Sequence, residues 1–253
     1  SYIGSDKIGT GYCCRVFGDN LYLGTNQGLY YTPFSKRYET AGFELIENTA
    51  GQVWALEELA GQLLCGHNNG TYLVKGGEAT KISGLEGAWK FIPVIGNPDM
   101  LIAGHYNGLA LYENTNGRWN YLKRIKGFDE SSRYLFQDEG GYLWVGHSGK
   151  GLFRLRLSDS LDEVTEVVRF NNDRGLASQT GNILFGFDNE VFVSANEGIF
   201  KYAYAAGSFV PSEDMNEIFG NPGKIKYVAS AGNGYIWFIA ESESGYLRRN
   251  EDL

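Results

Sequence analysis

The three histidines of this chain occupy one position of a recurring sequence phrase. His67, His105 and His147 each follow a glycine at the end of an apolar run. An imidazole at this position can cap the following turn, contact a ligand, respond to pH or bind a metal ion. Because no carboxylate shares the position, we predict no metal site. Turn capping and ligand contact both stay open as interpretations.

Aromatic residues open the strand that precedes most copies of the phrase. Five of the six positions are aromatic, and the sixth is Asn182: Tyr12, Trp54, Trp89, Tyr134, Asn182 and Tyr227. Rings with polar edges are platforms for sugar rings, and they suit equally well the packing of one repeat against the next. We expect these rings and the histidines to lie on one face of the fold. The candidate ligand-binding residues are therefore Trp54, Trp89, Tyr134, Arg133, His67, His105 and His147.

Cationic residues stand close to these aromatic positions. Arg15, Lys90 and Arg133 are three of them. Two or three cations beside a binding surface suit an acidic ligand, such as a uronic acid or a sulfated glycan. Charges on solvated loops are the alternative interpretation.

The phrase itself occurs six times and sets the architecture. Each copy reads strand, tight turn, strand, as in NLYLGTNQGLYY at 20–31 and MLIAGHYNGLAL at 100–111. Aligned on their second glycine, the copies fall at Gly28, Gly70, Gly108, Gly151, Gly198 and Gly245. A period near forty residues with strand content is typical of propeller blades. An apolar run precedes each hairpin and a more polar strand follows most of them, which makes four strands per repeat.

The predicted fold is therefore all-β, a β-propeller of four-stranded antiparallel blades with six repeats visible, the alternative being part of a seven-bladed propeller. A blade cannot bury both of its faces alone, so we expect residues 1–253 to form a single propeller domain. Residues 1–4 have no partner in the first repeat and would form the closing outer strand of the last blade. No stretch of ten residues keeps a helical period, and the best exception, 214–219, is too short to matter.

Composition and motifs exclude several function classes. The net charge is −8 with scattered basic residues, so no basic stripe is present to bind nucleic acid. No window of 18 apolar residues occurs, so we expect no membrane insertion by this segment. Three cysteines imply no disulfide framework. No hydrolase, metalloprotease or phosphate-loop motif occurs and the acidic pairs lie mostly in turns, so the sequence predicts neither an enzyme nor a cofactor.

Two stretches of the chain resemble the two-component regulator propeller repeat. Residues 133–153 match it through an Asp-x-x-Gly turn and a following strand: Asp138, Gly141, Leu143, Trp144, Gly146 and Gly151. Residues 173–202 match it through a Gly-Leu pair and the same later elements: Gly175, Leu176, Ser178, Ile183, Phe187, Asp188, Val191, Phe192, Ser194, Gly198 and Ile199. The other repeats match loosely. Ser194 and Ile239 depart from the pattern by replacing its first glycine, and the usual Thr survives only as Thr25.

The resemblance implies an extracytoplasmic sensor propeller, periplasmic or otherwise outside the cytoplasm, within a membrane-anchored signalling or transcription regulator. It implies an oligosaccharide or another small ligand as partner, with another copy of the chain or a neighbouring propeller of a longer chain as further candidates. A protein-interaction propeller and a propeller carbohydrate-active enzyme stay open as alternatives.

Overall fold

The computed structural model describes residues 8–38, 42–220, 224–231 and 235–248. Residues 1–4, which we expected to form a closing strand, lie outside the described residues, so that prediction stays a prediction. The described chain is mostly strand and divides into two compact units. Within it, no helix is long and apolar enough to cross a membrane.

The first unit comprises residues 1–133 with 159–163 and contains three four-stranded antiparallel sheets. The first sheet is β1 (Gly11–Phe17), β2 (Asn20–Thr25), β3 (Leu29–Pro33) and β4 (Glu44–Leu45), with a 3₁₀ turn at Phe34–Lys36. The second is β5 (Val53–Leu59), β6 (Gln62–His67), β7 (Gly70–Lys75) and β8 (Glu78–Ser83). The third is β9 (Lys90–Val94), β10 (Asn97–His105), β11 (Gly108–Thr115) and β12 (Arg118–Ile125).

The second unit comprises residues 134–158 and 164–253 and continues the pattern. The fourth sheet is β13 (Tyr134–Gln137), β14 (Leu143–His147), β15 (Gly151–Leu157) and β16 (Val164–Phe170), followed by a 3₁₀ turn at Asn172–Arg174. The fifth is β17 (Ile183–Phe187), β18 (Glu190–Ala195), β19 (Gly198–Ala203) and β20 (Ser208–Pro211), with helix α1 (Glu213–Phe219) after it. The described strands of the sixth are β21 (Ile225–Ala231), β22 (Tyr235–Ala240) and β23 (Ser244–Arg248).

This succession of antiparallel sheets, one per sequence repeat, is a six-bladed β-propeller, and the predicted fold class is confirmed. The stretch at 214–219, which the sequence suggested was too short to matter, forms a helix of seven residues with Glu213. The polar strand that follows the first copy of the phrase is short, because only Glu44 and Leu45 pair with β3. We refer below to the six sheets as blades one to six.

The core lies between successive blades within each unit. One buried cluster joins each neighbouring pair: Tyr22 with Leu63 and Tyr72, Leu64 with Leu101 and Trp119, Trp144 with Leu184 and Phe209, and Phe192 with Ile225 and Phe238. Each blade presents alternate strand residues to its neighbour, and the apolar area removed from water stabilises the stack. A single repeat could not bury these side chains.

The second glycine of the phrase begins the third strand of a blade where the turn lies against another backbone segment. Gly108 has φ +88°, and a Cβ added there would lie 2.3 Å from the Phe128 carbonyl oxygen. Only glycine fits such a site.

Our alignment of the sixth repeat on Gly245 was wrong. Its hairpin is closed by a bond from the Ala240 N–H to the Glu243 carbonyl, the counterpart of the bond from Thr25 to Gly28. Glu243 therefore occupies the glycine position, and Gly245 lies two residues further on inside β23, opposite Phe238.

Candidate ligand-binding site

Four aromatic rings of the first unit form a continuous row, which we call the aromatic ladder (Tyr12, Trp54, Trp89 and Tyr106). Tyr12 stacks on Trp54 with 5.0 Å between ring centroids, and Trp54 packs on Trp89 at 4.3 Å. Tyr106 meets Trp89 edge to face at 5.3 Å. The indole Nε1–H of Trp54 donates to the Tyr106 hydroxyl at 3.0 Å. Three blades thus contribute to one aromatic surface.

Local backbone irregularities present the first two rings of the ladder. Pairing between β1 and β2 shifts between Gly11 and Cys13, and pairing between β5 and β6 shifts between Val53 and Ala55. Tyr12 and Trp54 are the extra residues at these two shifts. Since a bulge redirects a side chain out of the regular alternation, each ring leaves its own sheet to meet the next blade.

The rings of the ladder contact each other, which limits what they can offer a ligand. Trp54 is contacted by both Tyr12 and Trp89 and is half-buried. Tyr12, at the end of the row, is 45% exposed. The Trp89 Nε1–H is buried and has no hydrogen-bond partner among the described residues. The ladder therefore offers one accessible ring at its end and ring edges along its length.

Cationic groups flank the ladder, as the sequence suggested. The Arg133 guanidinium lies 5.0 Å from the Trp89 ring centroid, within the range of a cation–π contact. On the first strands of the three blades, Glu57 accepts from Arg15 at 3.1 Å and from Lys90 at 2.5 Å. Two cations share that one carboxylate, so this side of the ladder has a surplus of positive charge.

Two histidines of the repeated phrase cap their turns. His67 Nδ1 accepts from the Asn69 N–H at 3.2 Å, and His147 Nδ1 accepts from the Gly149 N–H at 2.9 Å. The Thr25 hydroxyl accepts in the same way from Gln27 at 3.0 Å. The opposite ring nitrogen of His67 donates to the Thr49 carbonyl at 3.1 Å. These contacts agree with the turn-capping interpretation for His67 and His147.

His105 is bonded differently although it occupies the same position. Its Nδ1 lies 3.3 Å from the Glu86 carbonyl, and its Nε2 is buried without a hydrogen-bond partner among the described residues. Burial lowers the pKa of His105 to about 4, against the opposing effect of the nearby Glu86 and Leu85 carbonyls. At neutral pH the ring is uncharged.

The remaining candidates, Tyr134 and His147, belong to the second unit. Tyr134 packs against the buried cluster between the fourth and fifth blades, which includes Trp144 and Leu184. Trp54, Trp89 and Arg133 are therefore brought together in the first unit, and His67 and His105 lie at turns of the same unit. Sequence reasoning missed Tyr106, whose only signal was its position directly after a histidine of the phrase.

The second unit contains a buried carboxylate that accepts three hydrogen bonds. Asp138, which matches the family's turn, accepts from the Tyr142 N–H at 2.9 Å, the Trp144 Nε1–H at 2.8 Å and the Tyr204 hydroxyl at 2.8 Å. Burial, reinforced by this carboxylate, raises the pKa of Tyr204. With three donors Asp138 has a structural role. Among the described residues, no group of three His, Cys, Asp or Glu side chains is arranged to hold a metal ion.

Comparisons with known proteins bear on the fold. No protein-family model matches the chain, and no curated protein sequence matches it. Among solved structures it is similar to the extracellular domain of the putative one-component system BT4673 of B. thetaiotaomicron, at 16% identity and TM-score 0.64, over 100% of this chain and 33% of that one. The extracellular domain of the putative hybrid two-component system BT3049 from the same organism gives 17% identity and TM-score 0.55, over 94% and 33%.

The chain has the propeller fold of these extracellular domains. They are the kind of protein that the repeat resemblance suggested. The chain spans about a third of their length. It is also similar to Kuenenia stuttgartiensis hydrazine synthase, at 12% identity and TM-score 0.61, over 92% of this chain and 74% of that one. Identity this low shows the fold alone.

Proposed function

We propose that this chain is the ligand-binding propeller of an extracytoplasmic sensor within a signalling or transcription regulator, and that its ligand is an oligosaccharide bound at the aromatic ladder. The observation that supports this most is the ladder itself, with the Arg133 guanidinium beside it. The resemblance of the repeats and the similar extracellular domains support the sensor context.

The geometry suits a sugar in two respects. The exposed ring of Tyr12 at the end of the row offers an apolar face for a pyranose ring. The Arg133 guanidinium lies further along the ladder, beside the Trp89 ring, where it can donate to sugar hydroxyls and carboxylates. A sugar bound here would stack on the Tyr12 ring at the end of the ladder and extend towards Arg133.

The charges favour an acidic oligosaccharide over a neutral one of the same length. Arg15 and Lys90 share the one carboxylate of Glu57, and the Arg133 guanidinium lies beside Trp89. Carboxylate or sulfate groups form the stronger, charge-assisted hydrogen bonds with such cations. Acidic ligands should therefore bind more weakly as salt is added, whereas neutral ones should not.

The test is isothermal titration of the purified chain with matched neutral and acidic oligosaccharides, with thermal shift as the first screen. Tyr12→Ala should weaken binding roughly thirtyfold, the equivalent of about 2 kcal/mol for an aromatic ring that stacks on the ligand. The control is Tyr38→Ala, which removes a ring that is 79% exposed and lies outside the ladder. The proposal fails if no oligosaccharide binds the parent chain, or if the two variants bind equally well, and the protein-interaction alternative then comes first.

A further inference from the structure

One side of blade six carries exposed aromatic and aliphatic side chains. Paired residues of an antiparallel sheet lie on the same side of it, and the pairs here are Tyr227 with Ile239 and Trp237 with Tyr246. Each of these four side chains is between 50% and 56% exposed. The Trp237 and Tyr246 rings are in contact, with 5.2 Å between their centroids. We call these four residues the blade-six face.

The corresponding side of other blades is buried. Trp237 lies three residues before the residue that closes its hairpin. The same position is held in four other blades by Tyr22, Leu64, Trp144 and Phe192. Those side chains are at most 2% exposed, and each belongs to the cluster shared with the following blade. Since Phe238 packs on blade five, the run YIWFIA at 235–240 is apolar on both sides, which is the pattern of a strand covered on both.

A further blade of the regular kind does not fit on the blade-six face. The residue before the hairpin-closing position is Gly24 in blade one and Gly66 in blade two. A Cβ added there would lie 2.6 Å from the Val53 side chain and 2.2 Å from the Ala88 carbonyl oxygen, so the segment that follows needs glycine. Ile239 holds this position in blade six. Its side chain occupies the space that a following blade would need, so a covering surface must approach differently.

The rings on this side of blade six are inclined to one another. The Trp237 and Tyr246 planes are 55° apart, and Tyr235 meets Tyr246 edge to face at 65°. A sugar stacks on an open ring face, whereas inclined rings offer both the faces and the edges from which aromatic pairs are made. All four residues of the blade-six face are uncharged. The surface therefore suits another uncharged aromatic surface.

We propose that the blade-six face packs against the same face of a second copy of this chain, in a dimer with two-fold symmetry. Such a contact uses one patch twice, so the patch must complement itself, and uncharged inclined rings do so. Interface cores are enriched in Trp and Tyr and depleted of charge. A half-exposed aromatic side chain contributes about 100 Å², so the face and its rim would bury about 1,000 Å² in the two copies together. That area is at the lower end for a specific interface, so the dimer should be weak and depend on concentration.

The experiment is sedimentation equilibrium of the purified chain from ~1 μM to ~1 mM. We expect the average mass to rise from one chain to two and no further. Ile239→Lys should keep the chain monomeric throughout, because it places two like charges in the contact. The matched control is Val167→Lys, at a strand residue of blade four that is 47% exposed, and it should dimerise as the parent chain does.

A mixture of two variants tests the symmetry of the contact. Ile239→Glu alone should also stay monomeric. An equimolar mixture of Ile239→Lys and Ile239→Glu should restore the dimer, because opposite charges then meet where like charges repelled. Thermal unfolding of each variant at low concentration checks that its fold is intact, and a restored dimer shows independently that both variants are folded.

Four results would overturn the proposal. They are a parent chain that stays monomeric at ~1 mM, Ile239→Lys dimerising as the parent does, a mixture that stays monomeric, and growth of the mass beyond two chains. The last result would mean that the blade-six face meets a different surface of the next copy. Oligosaccharide binding at the ladder is tested separately by Tyr12→Ala, so this inference and the proposed function can fail independently.

Discussion

At the scale of single residues, one sequence position serves different purposes in neighbouring blades. Thr25, His67 and His147 accept from the backbone N–H two residues ahead, whereas His105 faces the connection from the preceding blade. The pattern of glycine followed by histidine predicted the cap but not this exception. The difference is the Glu86 carbonyl of the connection between blades two and three, which lies 3.3 Å from His105 Nδ1.

The buried His105 makes the stability of the chain depend on pH. Its pKa is about 4 in the folded chain and about 6.5 when unfolded, so between these values the unfolded state binds more protons. The contribution of His105 to the free energy of unfolding is therefore fully present above pH 6.5. It is lost as the pH drops towards 4, by up to about 1.4 kcal/mol per pH unit.

The measurement is urea unfolding of the parent chain and of His105→Thr at several pH values. We expect the parent chain to lose more stability on acidification than the variant, which isolates the contribution of His105 from that of the carboxylates. His67, whose pKa burial also lowers, stays in both proteins and cancels. Parallel pH profiles for the two proteins would show that the His105 ring is hydrated in the folded state.

At the scale of elements, the turns show which glycines the fold requires. Gly108 and Gly117 both have positive φ in the third blade, +88° and +75°. A Cβ at Gly108 would collide with the Phe128 carbonyl, whereas one at Gly117 meets no atom within 4 Å. Gly117→Ala should cost about 1 kcal/mol of stability for its left-handed backbone, and Gly108→Ala at least about 3 kcal/mol, because backbone must also move. Chemical denaturation of the two variants measures the difference between their free energies of unfolding. Equal losses would contradict the predicted collision between a Cβ at Gly108 and the Phe128 carbonyl.

The Asp138 carboxylate should stabilise the packing of the fourth blade against the fifth, because it accepts from a side chain of each. Asp138→Asn replaces one accepting oxygen by an NH₂ group that cannot accept from Trp144 and Tyr204. We expect a loss of about 2–4 kcal/mol in the free energy of unfolding. Asp188→Asn, at the exposed counterpart turn of the fifth blade, should change it by less than about 0.5 kcal/mol. Thermal unfolding of both variants provides the comparison, and a small effect at Asp138 would mean that water replaces the lost contacts.

At the scale of the whole molecule, the period of the sequence was enough to predict the fold. Strand alternation and turn glycines repeat in every blade, so six weak local signals add to one strong prediction. The alignment slipped in the sixth repeat because Glu243 replaces the glycine and a second glycine stands two residues later. The ladder was only partly predictable. Tyr12, Trp54 and Trp89 share an alignment position, but Tyr106 joins them from a turn, and only tertiary packing brings it there.

The close approach of Trp54 and Trp89 gives the chain an optical property of its own. Two indoles whose ring centroids are 4.3 Å apart couple their electronic transitions, so they absorb as a pair. The chain should therefore show an exciton couplet in far-ultraviolet circular dichroism, superimposed on the spectrum of its strands. Trp54→Phe should remove the couplet, whereas Trp237→Phe, in the sixth blade, should leave it in place. The couplet would then act as a built-in reporter that follows ligand binding at the ladder without any label.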